Sequence, residues 1–269
     1  MRALKAVLIW LDKVFGRFPD PPRSRLSVQN ENARAPAAIK SPIATAIEEI
    51  AAPVVADVDK PAAKPGPTPK YDVRFYSGSY RARQEAANRD GAACFLAHHF
   101  NSSTADEADY TLAIVALNAS QASLQMADHY TDLVAENFGC PEWDDNPRDD
   151  RDGVHIGGFG RAGNSQIVHT TMPAMLVEPL FGSHVEHARI IRSEAGRQAL
   201  AEILADTVVK FFPNGGLVAV SIGHKGKPQP HHLDRGAIIS PAEFDDRPLM
   251  EADAAEDVLQ RFKEVLEAV

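Results

Sequence analysis

The sequence predicts an α/β protein with a mostly parallel, twisted sheet and helices on both faces. Three observations predict it. Ala92–Ala97, Met172–Val177 and Leu217–Ile222 are continuous apolar runs rather than alternating ones, as strands buried on both faces are. Segments with helical periodicity separate them, the pattern of parallel strands joined by crossovers. Polar residues stand at the exits of these runs, where open α/β sheets gather their chemistry.

At the front of the chain, Leu4, Val7, Leu8, Leu11, Val14 and Phe15 recur at helical spacing, so residues 1–18 read as an amphipathic helix. Such a helix docks on its own domain, on a sister subunit or on a membrane surface. Pro19, Pro21 and Pro22 stop it. Residues 19–70 are rich in Pro and Ala, with prolines at 36, 42, 53, 61, 65, 67 and 69, and read as a stiffened linker. The folded domain is expected over residues 71–269.

Tyr71–Tyr76 is the first strand candidate, and Ser79–Arg89 reads as a helix. Ala92–Ala97 is a buried strand that exits into His98, His99, Phe100, Asn101, Ser102 and Ser103. Thr111–Phe138 is expected to be one long helical region, with Leu112, Val115, Leu124, Ala127 and Val134 apolar. Residues 142–152 are acidic, lack the spacing of a calcium loop and read as solvated surface. Gly153–Gly163 is glycine-rich without the dinucleotide fingerprint, and Ser165–Val168 is a strand candidate. Met172–Val177 leads straight into Glu178, a carboxylate set between an apolar run and Pro179–Leu180–Phe181. Val185–Ile191 and Ala195–Phe212 read as helices. Leu217–Ile222 is β-branched and bounded by glycines, and Gly223 ends it and presents His224. A loop with His231, His232 and Asp234 follows, then a last helix over Ala252–Val269 with Glu251 at its first turn, where a carboxylate is favoured.

Composition excludes several classes. The 269 residues carry a formal charge of −9, so nucleic acid is not the expected partner. The two cysteines, Cys94 and Cys140, are too few for a disulfide framework, and Cys94 reads as a small core residue. No run reaches the length of a membrane span, and the first residues make a poor signal peptide because Asp12 and Lys13 end their apolar patch.

His99, Glu178 and His224 therefore stand at strand exits and Glu251 at a helix start. Two imidazoles and one carboxylate make a catalytic zinc shell with a position left for water, and a further carboxylate can serve as the base. The spacings are scattered, so each histidine reads equally as a hydrogen-bonded structural residue and each glutamate as a surface group near a helix end.

At these residues a family resemblance emerges. Gly223–Gly226 (GHKG), Asp234–Ala237 (DRGA), the helix at Glu251, residues 98–103 (HHFNSS) and residues 172–183 (MPAMLVEPLFGS) resemble the zinc-dependent N-acetylmuramoyl-L-alanine amidases of cell-wall hydrolysis. Arg83, Ala87 and Asn88 resemble that family's Arg-x-x-x-Ala-Asn. The resemblance implies one Zn2+ held by His99, His224 and Glu251, with Glu178 as the catalytic base. The motif order differs: the family runs histidine, glutamate, histidine, glutamate, and here the first pair comes last. The implied fold is thus a circularly permuted amidase-like fold over residues 71–269, with strand 217–222 and helix 252–267 moved to the C-terminus. Ser221 and Ile222 stand where the family commonly has Asp-Pro, Lys225 replaces a usual glycine, and Glu243 rivals Glu251 as a ligand.

The implied reaction is hydrolysis of the amide between N-acetylmuramic acid and L-alanine, with peptidoglycan as partner. The alternatives are another zinc amidase or peptidase, or a non-catalytic peptidoglycan-binding or structural protein. A wall substrate without a signal peptide implies a protein that is cytoplasmic before release, as phage and prophage lysis enzymes (endolysins) are.

Overall fold

The computed structural model describes residues 70–104, 108–144, 152–159, 163–228, 231–239 and 248–269. The N-terminal helix of residues 1–18 and the linker up to residue 69 lie outside the described residues, as does Glu243. The strands are β1 (Tyr71–Phe75), β2 (Cys94–His98), β3 (Leu112–Val115), β4 (Val154–Ile156), β5 (Ala174–Glu178), β6 (Gly216–Ile222), β7 (Ile238–Ile239) and β8 (Leu249–Met250). The helices are α1 (Tyr80–Arg89), α2 (Gln121–Phe138), α3 (Val185–Arg192), α4 (Glu194–Phe211) and α5 (Glu251–Glu267).

Among the described residues six strands form one sheet in the order β1-β6-β2-β5-β3-β4, and β7 pairs with β8 separately. β1, β6, β2 and β5 run parallel to one another. β3 is antiparallel to β5, with Leu112 opposite Glu178, and β4 follows β3 in parallel. The central strands are apolar on both faces because both are covered. Cys94, Leu96, Met175, Val177, Val218 and Val220 belong to one core with residues of α2, α3, α4 and α5. Phe95, Ala97, Leu176 and Ala219 belong to a second core with Ala87 of α1 and with Trp143 and Ile167. Phe262 of α5 is fully buried, and burial of such a side chain is worth roughly 1.5–3 kcal/mol. Cys94 is buried and free.

The helix ends follow their local chemistry. Ser79, Ser120 and Ser193 cap α1, α2 and α4 by accepting backbone N–H bonds from Ala82, Ser123 and Gly196. Such a cap contributes about 1 kcal/mol. Gly139 ends α2 in the left-handed region at φ 68°, where a Cβ is disfavoured.

Two expectations need correction. Residues 111–138 are not one helix: Leu112–Val115 is a strand, and the helix starts only at Gln121. All four residues of that strand are buried, as a strand covered on both faces requires and a half-exposed helix does not. Ser165–Val168 is not a strand: Asn164–Gln166 forms a 3-10 turn after Gly163. The glycine-rich stretch before it holds the short strand β4.

The topology sets the site. Parallel pairing lines up the C-terminal ends of β2, β5 and β6, with His98 level with both Val177 and Ile222. α5 lies against β6 and β1, and its Glu267 carboxylate accepts the Val73 N–H at 2.8 Å while Lys263 donates to the Val73 carbonyl at 3.0 Å. The end of α5 and the start of β1 are therefore neighbours.

Candidate metal centre

His99 follows β2 directly, its N–H bonded to the Val177 carbonyl of β5 at 2.9 Å. His224 sits in the turn after β6 with φ 56°, the one non-glycine with positive φ among the described residues. Gly223 precedes it for lack of space: a Cβ there would stand 2.5 Å from His99 Nδ1. Glu251 is the first residue of α5, at the positive end of the helix dipole.

These three side chains converge. His99 Nδ1 lies 2.8 Å from Glu251 Oε1, and His224 Nε2 lies 3.4 Å from the same oxygen. One ligand atom from each residue lies within 4.8 Å of the others. Ligands about 2.0–2.1 Å from a tetrahedral ion are separated by about 3.4 Å, so the donor set fits a small divalent cation after slight spreading. Its chemistry, two imidazoles and a carboxylate, suits zinc.

The remaining atoms of the cluster are held in place. The His224 Nδ1–H donates to Asp234 Oδ1 at 3.0 Å, which leaves Nε2 free to bind a metal. His99 Nε2 faces Gln166 Oε1 at 2.9 Å, so that proton sits on Nε2 and Nδ1 points at Glu251. Glu251 Oε2 accepts the Ala237 N–H at 3.0 Å, and the Glu251 N–H returns a bond to the Ala237 carbonyl at 2.8 Å. Gly236 completes this wrap with φ 74°; a Cβ there would meet Glu251 Oε2 at 2.4 Å. The residues 234–237 thus orient His224 and enclose Glu251 together.

Charge and burial act in opposite directions here. Burial alone would lower the His99 pKa, but the Glu251 carboxylate overrides it and raises it. Burial would raise the Glu251 pKa, but the two imidazoles and the Ala237 N–H bring it below the ordinary range. Burial lowers the pKa of His224 despite the nearby Glu251. Glu178, the last residue of β5 and one strand over from His99, is pushed up to about 7, chiefly by burial, with the Glu251 charge adding and His99 opposing.

Three of the four residues singled out in the sequence therefore meet directly, and the fourth stands beside them at the end of β5. Glu251 touches both imidazoles. Two further contributors had no role assigned in the sequence. Asp234 stands in the DRGA motif that carries the resemblance, but nothing there tied it to His224. Gln166 lies in a segment expected to be a strand, and no local pattern marks it.

Comparison with known proteins agrees in class. The sequence model of the family described as N-acetylmuramoyl-L-alanine amidase matches residues 64–210, more than half of the chain. No curated protein matches. Among solved structures, the catalytic domain of CwlV, an N-acetylmuramoyl-L-alanine amidase from Bacillus (Paenibacillus) polymyxa var. colistinus, aligns at 24% identity and TM-score 0.40 over 50% of this chain and 66% of that one. An N-acetylmuramoyl-L-alanine amidase from Clostridium difficile 630 aligns at 19% identity and TM-score 0.41, over 50% and 66%. One from Mycobacterium smegmatis aligns at 16% and 0.40, over 49% and 59%. The alignments thus span just under two thirds of the first of these chains.

Proposed function

The chain belongs to the N-acetylmuramoyl-L-alanine amidase family, and from that premise we propose that it is a zinc-dependent amidase of peptidoglycan in circularly permuted form. The convergence of His99, His224 and Glu251 beside Glu178 carries the reading. The family match ends at residue 210, yet two of the three candidate ligands lie beyond it, at the end of β6 and the start of α5. Permutation accounts for both facts: these elements are the family's opening strand and helix, relocated. The contact of Glu267 with Val73 supports it, since rearranged ends must lie close.

His99, His224 and Glu251 are the proposed zinc ligands. Zinc bound there would supply Lewis acidity toward the substrate carbonyl and make water more acidic. Glu178 takes the proton from the attacking water and hands it to the amide nitrogen as the C–N bond breaks. A pKa near 7 suits a carboxylate that must accept and then release one proton near neutrality. Asp234 and Gln166 keep the imidazoles facing inward. The bond proposed is that between the lactyl group of N-acetylmuramic acid and L-alanine. The enzyme is proposed to be made in the cytoplasm and released to the wall, in the manner of a lysis enzyme.

The test is release of free L-alanine amino termini from purified peptidoglycan, with metal content measured in parallel. Release by the wild type and its loss in E178Q is the expected result. Metal bound without release on any stem peptide would turn the reading to another amide substrate. No metal and no release would favour a binding or structural protein.

A further inference from the structure

Helix α1 meets His224 directly through Tyr80, whose hydroxyl accepts the His224 N–H at 3.4 Å, and two of its fully buried polar residues reach the segments on either side of the cluster. Among the described residues Arg83 has no carboxylate partner. Its Nη1 donates to Ser221 Oγ and to the Ile222 carbonyl, both at 2.8 Å, its Nε to the Gly78 carbonyl at 3.1 Å, and its Nη2 to the Lys225 carbonyl. Ile222 and Lys225 flank Gly223 and His224. The guanidinium fork therefore grips both sides of the turn that holds His224 at its unfavourable positive φ. A buried cation satisfied by main-chain carbonyls is costly to maintain, and a hydrophobic side chain would fill the same space without that cost.

Gln84, the next residue, faces the other segment. Its Nε2 donates to the Ser165 carbonyl at 3.0 Å, and its Oε1 accepts the His169 N–H at 2.7 Å. Asn88, one turn on, receives the Thr171 N–H at 2.9 Å and donates to the His169 carbonyl at 2.7 Å. Between the residues so held lies Gln166, the partner of His99 Nε2.

We propose that α1 is the positioning element of the candidate metal centre. Arg83 fixes His224 through its turn, and Gln84 fixes His99 through Gln166. The functional meaning rests on the reading of these histidines as metal ligands. The two arms are separate, because among the described residues the Arg83 side chain bonds to residues 78, 221, 222 and 225 and the Gln84 side chain to residues 80, 165 and 169.

The test uses the full chain with labelled nitrogen and reads the hydrogen-bonded imidazole N–H protons in metal-free protein. The two signals read are His224 Nδ1–H on Asp234 and His99 Nε2–H on Gln166, both protected from exchange in the wild type. R83M should lose the first and keep the second; Q84M should do the reverse. R83K, which keeps the charge but not the fork, should weaken the His224 signal and serves if R83M does not fold. Cobalt(II) titration should then show affinity reduced by about tenfold or more in each variant, the usual effect of removing an outer-shell support. Unchanged N–H signals and affinity in variants that merely melt earlier would overturn the proposal and leave α1 a packing helix. A wild type that binds no cobalt while its N–H signals respond as described would sink the metal reading and leave the positioning role standing.

Discussion

His99 Nδ1 and Glu251 Oε1 stand 2.8 Å apart although 152 residues separate them in sequence. A carboxylate at the first turn of the last helix meets an imidazole at the exit of the second strand. Either a proton or a cation between these atoms satisfies both, and the proposed function rests on the cation.

The ligand set makes the first prediction. Wild-type protein should hold one zinc per chain, and H99A, H224A and E251A should each lose it together with activity. Full retention in E251A, measured by elemental analysis of dialysed protein, would show that another carboxylate supplies the third ligand.

Glu178 should behave differently. E178Q should fold and retain its metal, while wall cleavage falls by roughly 10²–10⁴, the usual worth of a positioned acid–base group. The base works only when ionised, so kcat/KM should fall as pH drops through its pKa. With burial placing that pKa at about 7 and a bound cation pulling it lower, the acid limb should lie at or below about 7. Near-normal turnover by E178Q would end the mechanism.

Gly236 gives a steric prediction. G236A puts a Cβ 2.4 Å from Glu251 Oε2 and 2.8 Å from His224 Cδ2, at φ 74°. It should lower stability by about 1–3 kcal/mol from the backbone alone and weaken metal binding as well. Thermal melts with and without zinc separate the two effects, and an unchanged metal-dependent shift would disprove the predicted clash.

Acid should destabilise the fold through His187. Burial, with nearby His184, brings its pKa down to about 4, and its Nδ1 accepts the Phe181 N–H at 3.1 Å. The unfolded chain has the ordinary value of about 6.5, so between these pH values it binds more protons than the folded one. Stability from this residue is thus complete above about 6.5 and is lost as pH falls toward 4, on the order of 3 kcal/mol. His98 is shifted the same way, to about 3. Urea unfolding at several pH values should show this slope, and it should be shallower in H187Q.

The permutation can be tested by reversing it. A chain running 214–269, a short flexible linker, then 71–212 should fold and bind metal as the natural order does, because Val73 and Glu267 are already in contact. Loss of the folded circular dichroism spectrum would show that the existing connection from α4 to β6 is required.

Local pattern determined much of this. Continuous apolar runs identified β2, β5 and β6, and helical pattern identified α1, α3, α4 and α5, because burial on two faces or one leaves its period in the sequence. His99, Glu178, His224 and Glu251 were legible because each ends or begins such an element and stands in a recognisable motif. Only the tertiary structure decided the rest. β3 merged with α2 in the sequence because a four-residue buried run has no period of its own. Its antiparallel direction depends on pairing with β5, which no local signal carries. Gln166, Asp234 and Arg83 act across chain separations of 67, 10 and 138 residues to reach His99, His224 and Ser221. A polar side chain looks the same in sequence whether it meets water or a distant imidazole. Parallel strand pairing, which brings remote strand ends to one edge, is what tells the two apart.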